Sequence, residues 1–393
     1  MNMYYNDSRK GESMKIKKWH LFLFISILFI CSFYIVNLKF DKFYRVNGIN
    51  NDNRVLIEKY LDEDEQTYLI DNQISIDLFI DYLDKDNFSL QNYQYYNYLK
   101  ETHRYKKSNE IIEIGNDLST RLNYLYSKDA FDKAKVLIDS SLEVAFLNEE
   151  RFQFDYIDIY NDMKILYEKN DFSYVNDCER LIQFLENQSI TKEKDIKETI
   201  HMMTLSYTKE AIVHFIENNL DGKISIVYNP NELSTLVDKN HYIGIYEPNG
   251  LLLTQDIPRV SYAMYLQSDA YHALLKMYHD LSLHHDGFIL RQAYKSAYDL
   301  KEEAGYNELQ LGLTIVVSQT QIAYDQFEDT EISKWLQEHA HEYGFVLRYP
   351  KGKASITNHS YDAHTYRYVG KSLAQSLHES QLTIEEFQNQ NDS

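Results

Sequence analysis

The hydrophobic pattern opens with one unbroken apolar run. Trp19 to Leu38 is 20 residues without Asp, Glu, Lys or Arg. As a helix rising about 1.5 Å per residue it would span roughly 30 Å, the hydrocarbon thickness of a bilayer. Lys15, Lys17 and Lys18 precede it, with Arg9 and Lys10 further back, while Lys39 and Lys42 follow. That bias favours an N-terminus inside. A cleaved signal peptide would have a shorter apolar region and a small-residue cleavage site. Here the run leads into Lys39-Phe40-Asp41-Lys42, and the bulky Leu28, Phe29 and Ile30 before Cys31 do not suit lipoprotein processing. The pattern predicts a cytoplasmic tail over 1–18, a single membrane-spanning anchor over 19–38, and the rest of the chain outside the cytoplasm.

The next stretch, 39–221, has helical texture. Between Asn50 and Asp221 the only glycine is Gly115, and every proline lies beyond residue 229. Apolar residues recur at helical spacing, as in Leu69, Ile70, Ile74, Leu78, Phe79 and Leu83, and again in Ile212, Phe215 and Ile216. A weak internal repeat is visible. Leu61-Asp-Glu-Asp-Glu, Asp86-Asn-Phe-Ser89 and Tyr98-Leu-Lys-Glu101 are echoed by Leu147-Asn-Glu-Glu-Arg, Asn170-Asp-Phe-Ser173 and Phe184-Leu-Glu186. The biased composition produces such echoes by chance, and two copies are fewer than a solenoid needs. The region reads as a mostly helical spacer or interaction module.

From Gly222 the texture changes. Lys223 to Tyr228, Phe288 to Leu290, Leu313 to Val317 and Tyr366 to Val369 predict strands. Ala270 to Leu283 and Ser333 to Tyr343 predict helices, the second closed by Gly344. Without regular strand–helix alternation, 222–380 is an α+β domain. The polar end, 381–393, predicts a disordered tail.

Composition narrows the function. The net charge of −20 argues against nucleic acid as a partner. Of the two cysteines, Cys31 lies inside the apolar run, so neither a disulfide framework nor a cysteine-based zinc site fits.

Residues 224–376 carry an ordered set of motifs. Asn229-Pro230, Leu236-Val-Asp-Lys239 and Tyr246-Glu-Pro248 come first, then Ala273-Leu-Leu-Lys-Met277 and Tyr294-Lys-Ser296. Asn307-Glu-Leu-Gln-Leu-Gly-Leu-Thr-Ile-Val-Val317 follows, then Trp335-Leu336, Gly344-Phe-Val-Leu-Arg-Tyr-Pro350 with Lys353, Ile356 and Thr357, and finally Tyr361-Asp-Ala-His-Thr-Tyr-Arg-Tyr-Val-Gly370. In this order they resemble the VanY-type D-alanyl-D-alanine carboxypeptidases, zinc enzymes that trim peptidoglycan stem peptides. The resemblance implies the VanY/Hedgehog-like carboxypeptidase fold and a cell-wall setting. It places the ectodomain at the surface of a Gram-positive-type bacterium.

It also locates what is missing. Hydrolytic zinc needs three protein ligands and an open position for water. The family's His, Asp and His align with Leu309, Val316 and Thr365. Leu and Val have no lone pair to offer, and a Thr hydroxyl is a poor zinc ligand. The family's Glu base aligns with Asp362, one methylene shorter, and its carboxylate-binding Arg with Lys295, which lacks the bidentate fork. The family's Gln aligns with Leu300. Apolar replacement removes the cost of buried polar groups left without metal. Scaffold positions persist: Gly312, Gly344, Arg348, Tyr349, Pro350, Arg367, Tyr368 and Gly370.

The resemblance therefore implies a degenerate member with no catalytic residues, Asp362 being vestigial, and no zinc or other cofactor. Lys295, Ser296 and Gln310 are the candidate substrate-binding residues. Glu308 and Gln310 read as second-shell or surface groups. A metal site rebuilt from His359, Asp362 and His364 is the sharper alternative; His284, His285, His339 and His341 read as exposed helix-end histidines. Three functions remain open. They are a membrane-anchored inactive carboxypeptidase-like protein binding stem peptide or an envelope protein, an active D,D- or L,D-carboxypeptidase with an unrecognised metal site, and an envelope scaffold acting through the helical region.

Overall fold

The computed structural model describes residues 18–218 and 224–391. The proposed cytoplasmic tail falls almost entirely outside them, as does the expected start of the α+β domain at Gly222. The chain divides into two compact units, 1–150 and 151–393.

The first unit begins with helix α1, Lys18–Phe40, which is long and apolar enough to cross a membrane. Its apolar side chains are exposed, and among the described residues no other helix passes that test. Two short helices follow, α2 (Asn51–Tyr60) and α3 (Glu63–Asp71). Each opens on a capping box, made by Asn50 with Asn53 and by Asp62 with Glu65, which satisfies backbone N–H groups left bare at a helix start. Ile57, Leu61, Leu69, Ile76 and Phe79 form their common core. Helices α4 (Tyr93–Glu101), α5 (Ser108–Tyr126), α6 (Ala130–Asp139) and α7 (Glu143–Asn148) complete the unit. Gly115 on α5 is required: a Cβ there would lie 2.6 Å from the Tyr96 ring.

The second unit opens with helices too: α8 (Ile157–Met163), α9 (Tyr174–Asn187), α10 (Glu193–Ser206) and α11 (Lys209–Glu217). The helical region expected over 39–221 runs across both units, with α2–α7 in the first and α8–α11 in the second.

A local arrangement recurs in the two units, at positions other than those of the sequence echo. In the first unit a 3-10 turn, Leu90–Asn92, leads into α4, and the Ser89 N–H donates to the Tyr96 hydroxyl at 3.3 Å. In the second unit the 3-10 turn Phe154–Tyr156 leads into α8, and the Gln153 N–H donates to the Tyr160 hydroxyl at 3.2 Å. Turn and four helices recur as α4–α7 and α8–α11. By this shared contact Phe88-Ser89 corresponds to Phe152-Gln153. The similar Asn170–Ser173 segment precedes the second helix of its set, so composition rather than position made it look alike.

The α+β part is built on a four-stranded antiparallel sheet. Short pairs come first: β1 (Ser225–Ile226) with β2 (His241–Tyr242), and β3 (Leu251–Leu253) with β4 (Tyr265–Gln267). Of the strand expected over 223–228, the described part forms a two-residue ladder, Ser225–Ile226, and the Val227 N–H still donates to the Tyr242 carbonyl at 3.0 Å. Helix α12 (Ser268–Ser282) buries Leu274, Met277 and Leu281 completely, each contributing about 1.5–3 kcal/mol by burial. Strands β5 (Phe288–Gln292), β6 (Thr314–Gln319), β7 (Phe345–Tyr349) and β8 (Asp362–Tyr368) run in the order β5-β6-β8-β7. Leu290, Ile315, Val317, Phe345 and Tyr366 are fully buried from the sheet. Between strands lie α13 (Ala297–Leu300), α14 (Glu331–His339) and α15 (Ala354–Thr357). α14 tightens into a 3-10 turn, Ala340–Tyr343, and Gly344 at φ +91° closes it.

After β8 come α16 (Lys371–Ser380) and α17 (Ile384–Asn391). The tail expected to be disordered is therefore helical from 384 to 391. Ile384 packs in a core with Leu236, Val369 and Leu377, and Glu385 pairs with a buried arginine.

Candidate active site

Register decides which of the expected ligand positions meet. Val316 on β6 lies opposite Thr365 on β8, and Gln292 on β5 lies opposite Val316. Opposed residues of antiparallel strands share a face, so the three form a row. A second row holds Thr314 and Val346 on either side of Arg367. Leu309, buried, belongs to the 3-10 turn Glu308–Leu311 that feeds β6. Asn307 caps that turn through the Leu309 N–H, and Gly312 leaves it at φ +67°, where a Cβ would press on Leu251 at 3.0 Å.

At the position of the last ligand, the Thr365 hydroxyl donates to Asp362 Oδ2 at 2.5 Å. Asp362 Oδ1 accepts the His364 N–H at 2.9 Å. The residue in the base position is thus tied to its own strand. A leucine, a valine and a hydroxyl already donating to a carboxylate do not fit zinc, which takes thiolate, imidazole or carboxylate donors in a near-tetrahedral set. Among the described residues no group of three or more His, Cys, Asp or Glu could hold a metal ion.

The rebuilt trio does not assemble. His364 is buried on the other face of β8, with Nδ1 2.7 Å from the Val317 carbonyl and Nε2 2.9 Å from the Tyr324 carbonyl. Carbonyl oxygens only accept, so a ring N–H of His364 donates to the carbonyl it faces. Its ring is stacked between Tyr324, with centroids 3.6 Å apart, and Phe327, 4.6 Å apart. His359 is exposed, stacks on Tyr349 and bonds the Ser360 carbonyl. Of the remaining histidines, His284 and His339 lie at helix ends as expected, whereas His341 stacks face to face on His378 at 3.7 Å, and burial, then the neighbouring His378, lowers its pKa.

The three candidate substrate-binding residues separate. Lys295 is exposed, and its backbone N–H donates to the Leu309 carbonyl, which sets it beside the vacated turn. Ser296 caps α13 in a box with Asp299, whose carboxyl that bond holds below the usual range. Gln310 does not face a ligand. It is fully buried, its amide donates to the Gly244 and Tyr246 carbonyls, and its carbonyl accepts the Gly305 N–H. It staples the 243–246 loop to the turn.

Glu308, expected near the surface or behind a ligand, anchors a buried ion network. Arg348 Nε donates to Glu308 at 2.6 Å, Arg348 Nη2 donates to Glu385 at 2.7 Å, and Arg367 lies 3.6 Å from the other Glu308 oxygen. All four side chains are buried. Burial lowers the pKa of Arg367; on Arg348 burial acts the same way, but the two carboxylates outweigh it and the net shift is upward. Sequence reasoning marked Arg348 and Arg367 as persisting scaffold but not their charge partners. The available signal was Glu308 itself, an acid beside Leu309 in a turn that alternates polar and apolar residues.

Comparison with known proteins agrees with this geometry. Residues 263–371 match the family model for VanY, D-alanyl-D-alanine carboxypeptidase. The chain is 28% identical over 198 residues to the putative carboxypeptidase YodJ of Bacillus subtilis (strain 168), covering 43% of this chain and 71% of that protein. It is 33% identical over 103 residues to a D-alanyl-D-alanine carboxypeptidase of Enterococcus faecalis (strain ATCC 700802 / V583), covering 26% of this chain and 37% of that one. A solved LdcB LD-carboxypeptidase, described for its recognition of peptidoglycan, matches at TM-score 0.40 and 28% identity, over 44% of this chain and 92% of that one. The C-terminal part of the chain is thus similar to peptidase domains of the cell-wall carboxypeptidase class, and within that class to the VanY family, whose members are zinc-dependent.

Proposed function

We propose that this domain keeps a VanY-type cleft without its hydrolytic centre and acts by binding, as a membrane-anchored protein, the end of a peptidoglycan stem peptide or an envelope protein. The observation that carries the reading is the donor set: Leu309, Val316, and a Thr365 already bonded to Asp362. With no three donors for zinc, there is no means of lowering a water's pKa or polarising a peptide carbonyl. Exposed Lys295 supplies a charge for a peptide carboxylate, with Ser296 beside it. Helix α1 serves as the anchor, N-terminus inside, and places the domain at the cell surface.

The test uses the full chain in detergent micelles and a synthetic stem pentapeptide ending in D-alanyl-D-alanine. Calorimetry is expected to show saturable binding that Lys295→Ala weakens, and chromatography no released D-alanine with or without added zinc. Zinc-dependent release of D-alanine would overturn the reading in favour of an active carboxypeptidase. Absence of binding would shift the function to the helical region, whose turn-and-four-helix repeat supports a scaffold role.

A further inference from the structure

The apolar helix α1 runs into the first unit without a linker. The Asp41 N–H donates to the Asn37 carbonyl at 2.8 Å, and the Tyr44 N–H donates to the Asp41 carbonyl at 3.1 Å. Phe43 and Val46 are buried in the core that holds Ile57 and Leu61. Tyr44 and Arg45, between them, are exposed. Their neighbours on both sides are fixed in the core, so this pair cannot swing away from α1.

The pair folds back along α1. Arg45 Nη2 donates to the Tyr34 hydroxyl at 3.1 Å. The Tyr34 and Tyr44 rings meet edge to face, with centroids 5.5 Å apart and planes at 85°. Tyr34 lies four residues before the end of the uncharged run at Leu38, about 6 Å deeper along a helix. Asp41, the acid nearest to Arg45 in sequence, pairs with Arg54 at 2.9 Å. Among the described residues no carboxylate pairs with Arg45, and Tyr34 is the one side chain that bonds its guanidinium.

We propose that Tyr34, Tyr44 and Arg45 form a binding site for the phosphate of a membrane lipid at the outer face of the bilayer. The proposal rests on α1 serving as the anchor with its N-terminus inside. A guanidinium held to a side chain within the apolar run stays near the hydrocarbon boundary. Charge at that depth is costly unless it is paired. The tyrosine rings suit the same level, where an aromatic body is apolar and its hydroxyl is wet. A lipid phosphate lies there too, and its oxygens match the planar fork of arginine. The bound phosphate holds the first unit against the bilayer surface.

The test is native mass spectrometry of the full chain in detergent micelles, titrated with dioleoylphosphatidylglycerol. Saturable binding of a single lipid is expected. Dioleoylglycerol, with the same tails and no phosphate, and glycerol phosphate, with no tails, should each bind at least about tenfold more weakly. Arg45→Gln should weaken lipid binding at least about tenfold, and Tyr34→Phe, which releases the guanidinium, at least about threefold. Equal binding of dioleoylglycerol would mark a site for tails alone, and equal binding of glycerol phosphate a soluble ligand; either overturns the proposal. So does a folded Arg45→Gln chain that binds the lipid normally. Should Arg45→Gln fail to fold, the comparison of the three ligands decides alone. The anchor is tested separately by a fluorophore on exposed Cys31, Cys178 being buried, in nanodiscs carrying nitroxide lipids. Quenching without any preference for phosphate removes the proposal and leaves the anchor. No quenching removes both.

Discussion

Thr365 donates its hydroxyl to Asp362 at 2.5 Å, which bonds the residue expected at the family's last ligand position to the one expected at its base position. Val316 stands opposite Thr365 across the sheet, and Tyr349 opposite Asp362.

Restoring donors should restore metal. The chain as it stands is expected to carry no stoichiometric zinc after dialysis. The triple variant Leu309→His, Val316→Asp and Thr365→His is expected to carry one zinc per chain by elemental analysis. Equal metal content in the two would refute the reading of these positions.

The buried ion network should be intolerant of half-removal. Glu308→Gln leaves Arg348 and Arg367 short of a carboxylate at the centre of the domain. Breaking one partner of such a buried pair costs about 3–5 kcal/mol, to be read as a lower urea midpoint. A loss below about 1 kcal/mol would mean that water replaces the carboxylate.

His364→Ala should destabilise by about 2–4 kcal/mol, through two lost hydrogen bonds and the stack between Tyr324 and Phe327. The loss should appear with loosening of residues 324–329, measured by amide hydrogen exchange. Unchanged exchange there would show that the ring does not hold this segment.

Asp238 and His241 should give a pH-dependent contribution. Their bond, 2.9 Å long, raises the pKa of His241, against the opposing effect of burial. Burial acts to raise Asp238, but the bonds from His241 and the Asn240 N–H outweigh it and lower it. The His241 part is fully present below its ordinary value of 6.5 and is lost as pH rises through the raised value. The Asp238 part is present above 3.8 and is lost as pH falls through the lowered value. His241→Gln should therefore lower the melting temperature clearly at about pH 5.5 and little at about pH 8.5. Equal losses at both would exclude the pair as the cause.

Much of the molecule was legible in the chain because its causes are local. An uncharged run of 20 residues sets the length of α1, and alternating or helical spacing marks β6, α12 and α14. That Leu309 and Val316 have no donor to offer a metal was legible from their chemistry alone, since no fold gives an alkyl group a lone pair. Other features depended on distant partners. The tail became helix α17 because Glu385 reaches Arg348 across 37 positions, and Gln310 became a staple through carbonyls more than 60 positions away. The repeat took its register from which tyrosine closes which turn. The place of β7 at the end of the sheet follows from strand order, and strand order is set by where whole strands pack, which periodicity along one segment does not carry.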